Sequence, residues 1–318
     1  MSNLLFLLQQ MLFFSMPLLV VAIGGLFSEK SGVVNIALEG LMIFGAFTGI
    51  LFLYLTDGMI NGQVALILAM VVAMAGGIGL SLLHAYASVS MKANQAISGA
   101  ALNILAPALA VFIAKELTPS ELIPFKNRFY IESVPILSKI PILGPILFER
   151  AYITTYAAIL IFIVSLFVIT KTRFGLRLRA SGESPQALDV AGVNVSRVRY
   201  ISIILSGAFA GLGGVIFFIP TSVEFSANVS GYGFLAIAVL VFSKWDIKRI
   251  IFTSLFFGIM QTIASAYSGL GFLSNIHFIP SEFYKMIPYI ATLIILTLAN
   301  SESTAPDALG EPYDVSKR

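Results

Sequence analysis

The chain has 318 residues, of which 58% are hydrophobic and only 11% charged. A soluble domain carries about 25% charged residues, so with a mean hydropathy of +0.94 water is excluded as the main solvent of this chain. The formal net charge of +3 is too small to point to nucleic acid, and the absence of cysteine excludes disulfide and thiolate chemistry.

A helix needs about 20 apolar residues to cross about 30 Å of hydrocarbon. Residues 4–27 form the first such stretch, with Gln9 and Gln10 as its strongly polar side chains. No basic segment or cleavage site marks it as a signal peptide, so it reads as a retained span. Further spans are expected at 35–55, 64–83, 93–114, 151–170, 200–219 and 250–267. Segments 231–242 and 286–299 are apolar but short, as tilted ends or half-helices would be. The sequence therefore predicts an all-α polytopic membrane protein of about nine spans, with eight and ten both open. Residues 1–300 form the membrane domain, and 301–318 form a polar tail that reads as disordered.

Orientation follows from the loops. In 171–199, Lys171, Arg173, Arg177, Arg179, Arg197 and Arg199 outnumber Glu183 and Asp189, which places this loop in the cytoplasm. Lys244, Lys248 and Arg249 agree. The long connection 115–150 is nearly neutral and falls outside. Counting back puts the N-terminus outside and the C-terminal tail inside.

Several side chains stand out against this apolar background. Gly207 and Gly211 share a helix face and allow close backbone approach, as static packing or as a moving seam. Glu39 lies near the start of the second span. It is either an interfacial group favoured by the helix N-terminal field or a cavity group. Asn35, Asn94, Asn103 and Gln261 are amides within or beside spans; each needs a partner, a cap position or a cavity. His84 reads as interfacial, His277 as a residue of an outer loop, and Trp245 as an interface anchor. The histidines stand too far apart in sequence to suggest a zinc or haem site. In the outer connection, Pro135, Pro141 and Pro145 break any regular helix, yet the residues between them are apolar. Such a stretch lies on the membrane, covers the bundle mouth or binds an external partner.

The cytoplasmic loop has internal order. Ser184 is placed to cap a helix with Pro185 at its first position, and Gly192 to end it. A helix this short needs a neighbour for stability. No phosphate-binding G-x-x-x-x-G-K-[ST] run is present, so any ATP is hydrolysed by another polypeptide.

Three blocks carry a family resemblance: residues 28–40 with 45–47, residues 94–103, and residues 179–192 continued by Arg199, Tyr200 and 206–211. Segments 141–144 and 231–238 add to it. Over roughly residues 15–300 the chain resembles the permease subunits of ABC importers, in the branch of branched-chain amino acid, ribose and nucleoside permeases, and most of all the nucleoside type. The resemblance implies a coupling segment in which Arg179, Glu183, Ser184, Pro185, Ala187, Asp189 and Gly192 engage a separate ATPase, where ATP and magnesium bind. It implies no cofactor and no catalytic residue in this chain, and a place in a bacterial cytoplasmic membrane. It also implies a second permease, often a different chain, and a surface-anchored or periplasmic binding protein. The stretch around Pro135, Pro141 and Pro145 is a candidate dock for that protein, and Asn35, Glu39, Asn94, Asn103 and Gln261 are candidates for the path. The chain departs from the family pattern at Lys30, Ser184, Leu188 and 243–247, which bears on the fit to a particular ATPase. A sugar or branched-chain amino acid importer is the alternative within the family. An ion-coupled secondary transporter is the rival from another class, and it would not need the capped cytoplasmic helix.

Overall fold

A computed structural model of the chain describes residues 3–118, 120–126, 129–141, 143–266, 281–298 and 305–314. Helices α1 (Asn3–Lys30), α2 (Leu38–Leu55), α3 (Gly62–Ala85), α4 (Gln95–Leu117) and α5 (Ile153–Lys171) come first. Then follow α6 (Arg173–Glu183), α7 (Pro185–Val190), α8 (Val195–Thr221), α9 (Tyr232–Phe242), α10 (Ile247–Ala266) and α11 (Ser281–Leu298). Among the described residues, seven helices are long and apolar enough to cross a membrane. The short α9 and the 18-residue α11 complete the nine apolar segments expected.

Helices α1, α2 and α8 form the centre. Leu18, Val20, Ala22 and Ile23 of α1 are wholly buried, and α8 buries its glycine-rich half. Helices α4 and α5 are peripheral. In α4 the buried residues are Gln95, Gly99, Leu102, Ala106, Ala110 and Ala114, and from Gly99 onward they form a narrow stripe of mostly small side chains facing the bundle. Ile97, Ile104 and Phe112 point outward, where lipid is the natural neighbour.

Loops assigned to one side of the membrane meet at one end of the bundle. Ser181 donates to the Ser31 carbonyl at 2.9 Å, Ser90 and Tyr200 bond at 2.6 Å, and Trp245 Nε1 donates to Glu29 at 2.5 Å. At the other end, Lys126 pairs with Asp57, and Gln9 donates to the Glu149 carbonyl at 2.6 Å. Trp245 is thus tied to a buried carboxylate, beyond the anchoring role expected of it.

The outer connection contains strands the sequence did not suggest. Strand β1 (Ile123–Pro124) pairs with β4 (Glu224–Phe225), and β2 (Tyr130–Ser133) with β3 (Glu149–Tyr152), both antiparallel. The second pair docks on α1 through an edge-to-face contact of Tyr152 with Phe13. It presents a proline-rich tip where Pro135, Ile136, Pro141 and Leu143 are exposed and Pro145 is half-buried.

His84 is wholly buried within the protein. Its Nε2 lies 3.0 Å from the Val34 carbonyl, which can only accept, so Nε2 carries the proton and Nδ1 accepts from Ser98 at 3.0 Å. Residues 305–314 of the tail are ordered against the bundle rather than loose. Ala308 N–H donates to the Gly182 carbonyl at 2.8 Å, Gly310 N–H to that of Gly32 at 3.1 Å, and Lys92 pairs with Asp314 at 2.8 Å. Polar composition suggested a disordered tail; backbone donors matched to backbone acceptors of the bundle override it. His277 lies outside the described residues.

The tail also meets Arg199. This side chain is wholly buried, and its Nη1 donates to the Glu311 carbonyl at 2.8 Å. Its Nε and Nη2 have no hydrogen-bond partner among the described residues. Deleting the chain from residue 305 onward is therefore expected to leave membrane insertion intact and lower thermal stability. Loss of an acceptor by a buried charged donor costs about 1–3 kcal/mol. Thermal unfolding of the solubilised protein checks this, and an unchanged midpoint contradicts it.

Candidate translocation site and coupling helix

The segment between α1 and α2 does not stop at the membrane surface. Asn35 Nδ2 donates to Ser206 Oγ at 2.8 Å, and Ser206 lies eleven residues after Val195, the start of α8. Asn103 Nδ2 donates to the Ile36 carbonyl at 2.8 Å, and Asn103 lies eight residues after Gln95, the start of α4. At 1.5 Å per residue these positions are about 12–16 Å from the end of the bundle where α7 lies, half the thickness of the hydrocarbon. Residues 31–37 are thus a re-entrant turn, and α2 begins at mid-depth.

Irregular backbone survives there because its polar groups are satisfied. Ser28 Oγ donates to the Val33 carbonyl at 2.8 Å, and Gln95 Oε1 accepts from Val34 N–H at 2.7 Å. Asn35 Oδ1 accepts from Ala37 N–H at 3.1 Å, and Asn103 Oδ1 from Gly40 N–H at 2.8 Å. Ser28, Asn35, Gln95 and Asn103, all in the first two sequence blocks, serve this turn. Asn94 caps α4 by accepting from Ile97 N–H at 3.1 Å.

Helix α9 is the second broken element. It starts at the same depth, with Gly231 in the left-handed region at φ +78°, where glycine is the residue without strain. Glu39, in the first turn of α2, accepts from Gly231 N–H through Oε1 at 2.9 Å and from Gly233 N–H through Oε2 at 2.6 Å. The carboxylate joins two helix starts, and Glu39 and Gly231 are 192 residues apart in the chain.

Above the start of α9, towards the end away from α7, lies a cavity of about 550 Å³. Phe14, Phe217, Phe218, Tyr232 and Tyr289 supply aromatic surface. Asn228 and Gln261 supply amides, and Thr221, Ser222, Ser226, Ser230 and Ser265 supply hydroxyls. No charged side chain lines it among the described residues. The rings of Phe217 and Tyr232 are 4.5 Å apart, and the buried Tyr232 hydroxyl has no hydrogen-bond partner among the described residues. Of the five residues singled out for the path, Gln261 lines this cavity. Asn35, Asn103 and Glu39 hold the broken helices beneath it, whereas Asn94 only caps α4. The aromatic lining and Asn228 were not legible, because nothing in the sequence separates a cavity phenylalanine from the many that face lipid.

At the opposite end, α7 forms where its caps placed it. Ser184 Oγ accepts from Ala187 N–H at 3.4 Å, Pro185 opens the helix, and Gly192 follows it at φ +78°. Val193 N–H returns to the Leu188 carbonyl at 3.2 Å, a helix-ending pattern that glycine permits. Pro185 and Leu188 are buried and seat the helix, while Glu183, Ser184, Ala187 and Val190 are exposed and Asp189 is half-buried. Arg179 lies exposed on the preceding α6, a helix the basic residues had concealed within an apparent loop.

A multi-pass bundle broken at mid-depth, with an uncharged cavity at one end and a seated short helix at the other, has the architecture of a transport permease. The chain belongs to the family described as "Branched-chain amino acid transport system / permease component", which it matches over residues 7–296. It is 42% identical over 311 residues to the Guanosine ABC transporter permease protein NupQ of Bacillus subtilis, covering 96% of each chain. It is 39% identical to the Nucleoside ABC transporter permease protein NupC of Lactococcus lactis, again covering 96% of each. The Putative glucose ABC transporter permease protein TsgC13 of Haloferax volcanii is 28% identical, with 93% of this chain and 94% of that one covered.

Proposed function

We propose that the chain is the non-catalytic membrane subunit of an ATP-driven nucleoside importer. The observation that carries the reading is the uncharged, aromatic cavity with two amides, in a chain akin to permeases named for guanosine and nucleosides. Aromatic rings offer faces to a planar base, and amides can both donate to and accept from its edge. The hydroxyls suit a ribose. They would equally suit a sugar alone, so the sugar reading is kept as a competitor in the test.

In this reading the chain lies in a bacterial cytoplasmic membrane, N-terminus outside and tail in the cytoplasm. It forms the path with a second permease, and α7 rests on a separate ATPase that binds ATP and magnesium. A binding protein docks on the proline-rich tip and delivers the solute. Closure of the ATPase displaces α7 and shifts the bundle between two packings that expose the cavity to either side.

ATP-dependent uptake of labelled guanosine, measured in vesicles holding the full transporter, tests this. Adenosine and uridine should compete, and ribose, glucose and leucine should not. Replacing Asn228 and Gln261 together by alanine should lower uptake at least tenfold, because the base loses its edge contacts. Competition by ribose, glucose or leucine but not by nucleosides replaces the substrate class, and uptake without ATP points to a secondary transporter.

A further inference from the structure

We propose that Glu39 selects neutral solutes by occupying the helix end that a solute carboxylate would otherwise use. This rests on the reading of the cavity as the solute site. A half-helix that starts at mid-membrane offers unsatisfied N–H groups and a partial positive charge, which suits anionic solute groups. Helix α9 is such a half-helix, and Ser230 and Tyr232 at its start line the cavity.

Here every N–H of its first turn is already used. Gly231 and Gly233 donate to the two oxygens of Glu39. Tyr232 N–H donates to the Val229 carbonyl at 3.1 Å, and Phe234 N–H also bonds the Glu39 carboxylate. Leu235 N–H makes the ordinary helical bond to Gly231. Both Glu39 oxygens accept, the arrangement of an ionised carboxylate. A full negative charge outweighs the helix end, which amounts to about half a charge. A carboxylate entering the cavity meets no free main-chain donor on α9, and the charge behind the floor repels it. A neutral base and sugar lose nothing by this.

Glu39 cannot drift from its post. It is buried, and the Gly233 backbone lies so close that a Cβ there would fall 2.3 Å from Glu39 N. The carboxylate is therefore held in one place behind the cavity floor.

The test uses two nucleoside analogues of the same shape, a 5′-carboxamide and a 5′-carboxylate. Each displaces labelled guanosine from the assembled permease–ATPase complex in nanodiscs, without binding protein, so that the membrane site alone is read. In the wild type the carboxamide should compete at least tenfold better than the carboxylate. Glu39→Gln should narrow that gap at least threefold. Equal competition in the wild type overturns the proposal without needing a variant. So does an unchanged gap in Glu39→Gln protein that still binds guanosine. Guanosine binding that survives loss of the Asn228 and Gln261 amides overturns the cavity reading instead, and the inference with it.

Discussion

Gly45→Val should abolish accumulation of folded protein, while Gly79→Val on the neighbouring helix α3 should be tolerated. The two substitutions add the same side chain to spans of one bundle. A Cβ at Gly45 would lie 2.1 Å from Gly211 Cα, a contact real atoms do not make. The same holds around this point. A Cβ at Gly77 would meet the Gly207 carbonyl oxygen at 2.0 Å, and one at Gly214 the Met42 carbonyl oxygen at 2.2 Å. Helices α2, α3 and α8 therefore touch backbone to backbone. Small residues are the means of close helix association in lipid, where no hydrophobic drive acts between spans. Ordinary overpacking costs about 1–3 kcal/mol because side chains can shift. Here the obstacle is main chain, so whole helices must separate and the cost exceeds that range. Gly79 has nothing within 4 Å, and valine there meets only open space. Size-exclusion profiles and thermal unfolding of both variants check the contrast. A folded Gly45→Val protein of wild-type stability contradicts it.

Gly207 and Gly211 were legible as a packing face because their spacing puts both on one side of a helix. The spans were legible for a similar reason, since lipid demands a long run of apolar residues. The capped helix after Ser184 was legible from its own short segment, because caps act within one turn. What escaped depends on distant partners. Nothing near Glu39 reveals that Gly231 and Gly233 will bond to it, and nothing near Asn35 points to Ser206. The re-entrant turn was hidden because its residues read as the start of an ordinary span. Arg199 was counted as a surface charge, although it follows Val195 and precedes Ser202 and Ser206 at helical spacing on one buried face. That periodicity was the available signal for its burial. The ordered tail had no such signal, because its bonds to Gly32 and Gly182 are made by main chain and leave no mark on residue type.

Val190→Asp should lower ATP-driven uptake more than tenfold without reducing the amount of protein in the membrane. Val190 is 82% exposed on α7, and Ala187 is exposed beside it. An isolated helix of this length is unstable in water. Buried Pro185 and Leu188 hold it to the bundle, so its outer face is free to meet a partner without endangering the fold. A carboxylate in place of Val190 would be buried unpaired against that partner, a loss of several kcal/mol of contact energy. Replacing Glu183 and Asp189 together by alanine should uncouple transport in the same way, by removing charge from the same segment. Leu188→Asp should act differently. It unseats α7 from its own bundle, so both stability and uptake fall. If α7 is the coupling element, contiguity is what would carry its movement to the cavity. Gly182, just before α7, approaches so closely that a Cβ there would meet the Lys30 carbonyl oxygen at 2.5 Å, and Ser181 bonds the Ser31 carbonyl. Ser31 opens the re-entrant turn that ends at α2, and Glu39 of α2 holds the start of α9 at the cavity floor. On this route a push on α7 would reach both broken helices through one close main-chain approach, at Gly182, and the buried bonds of Ser181 and Glu39. Measuring uptake and ATP hydrolysis together separates the cases. With Val190→Asp, hydrolysis that continues at the basal rate while uptake is lost supports the route, and coupled uptake at the wild-type rate refutes it.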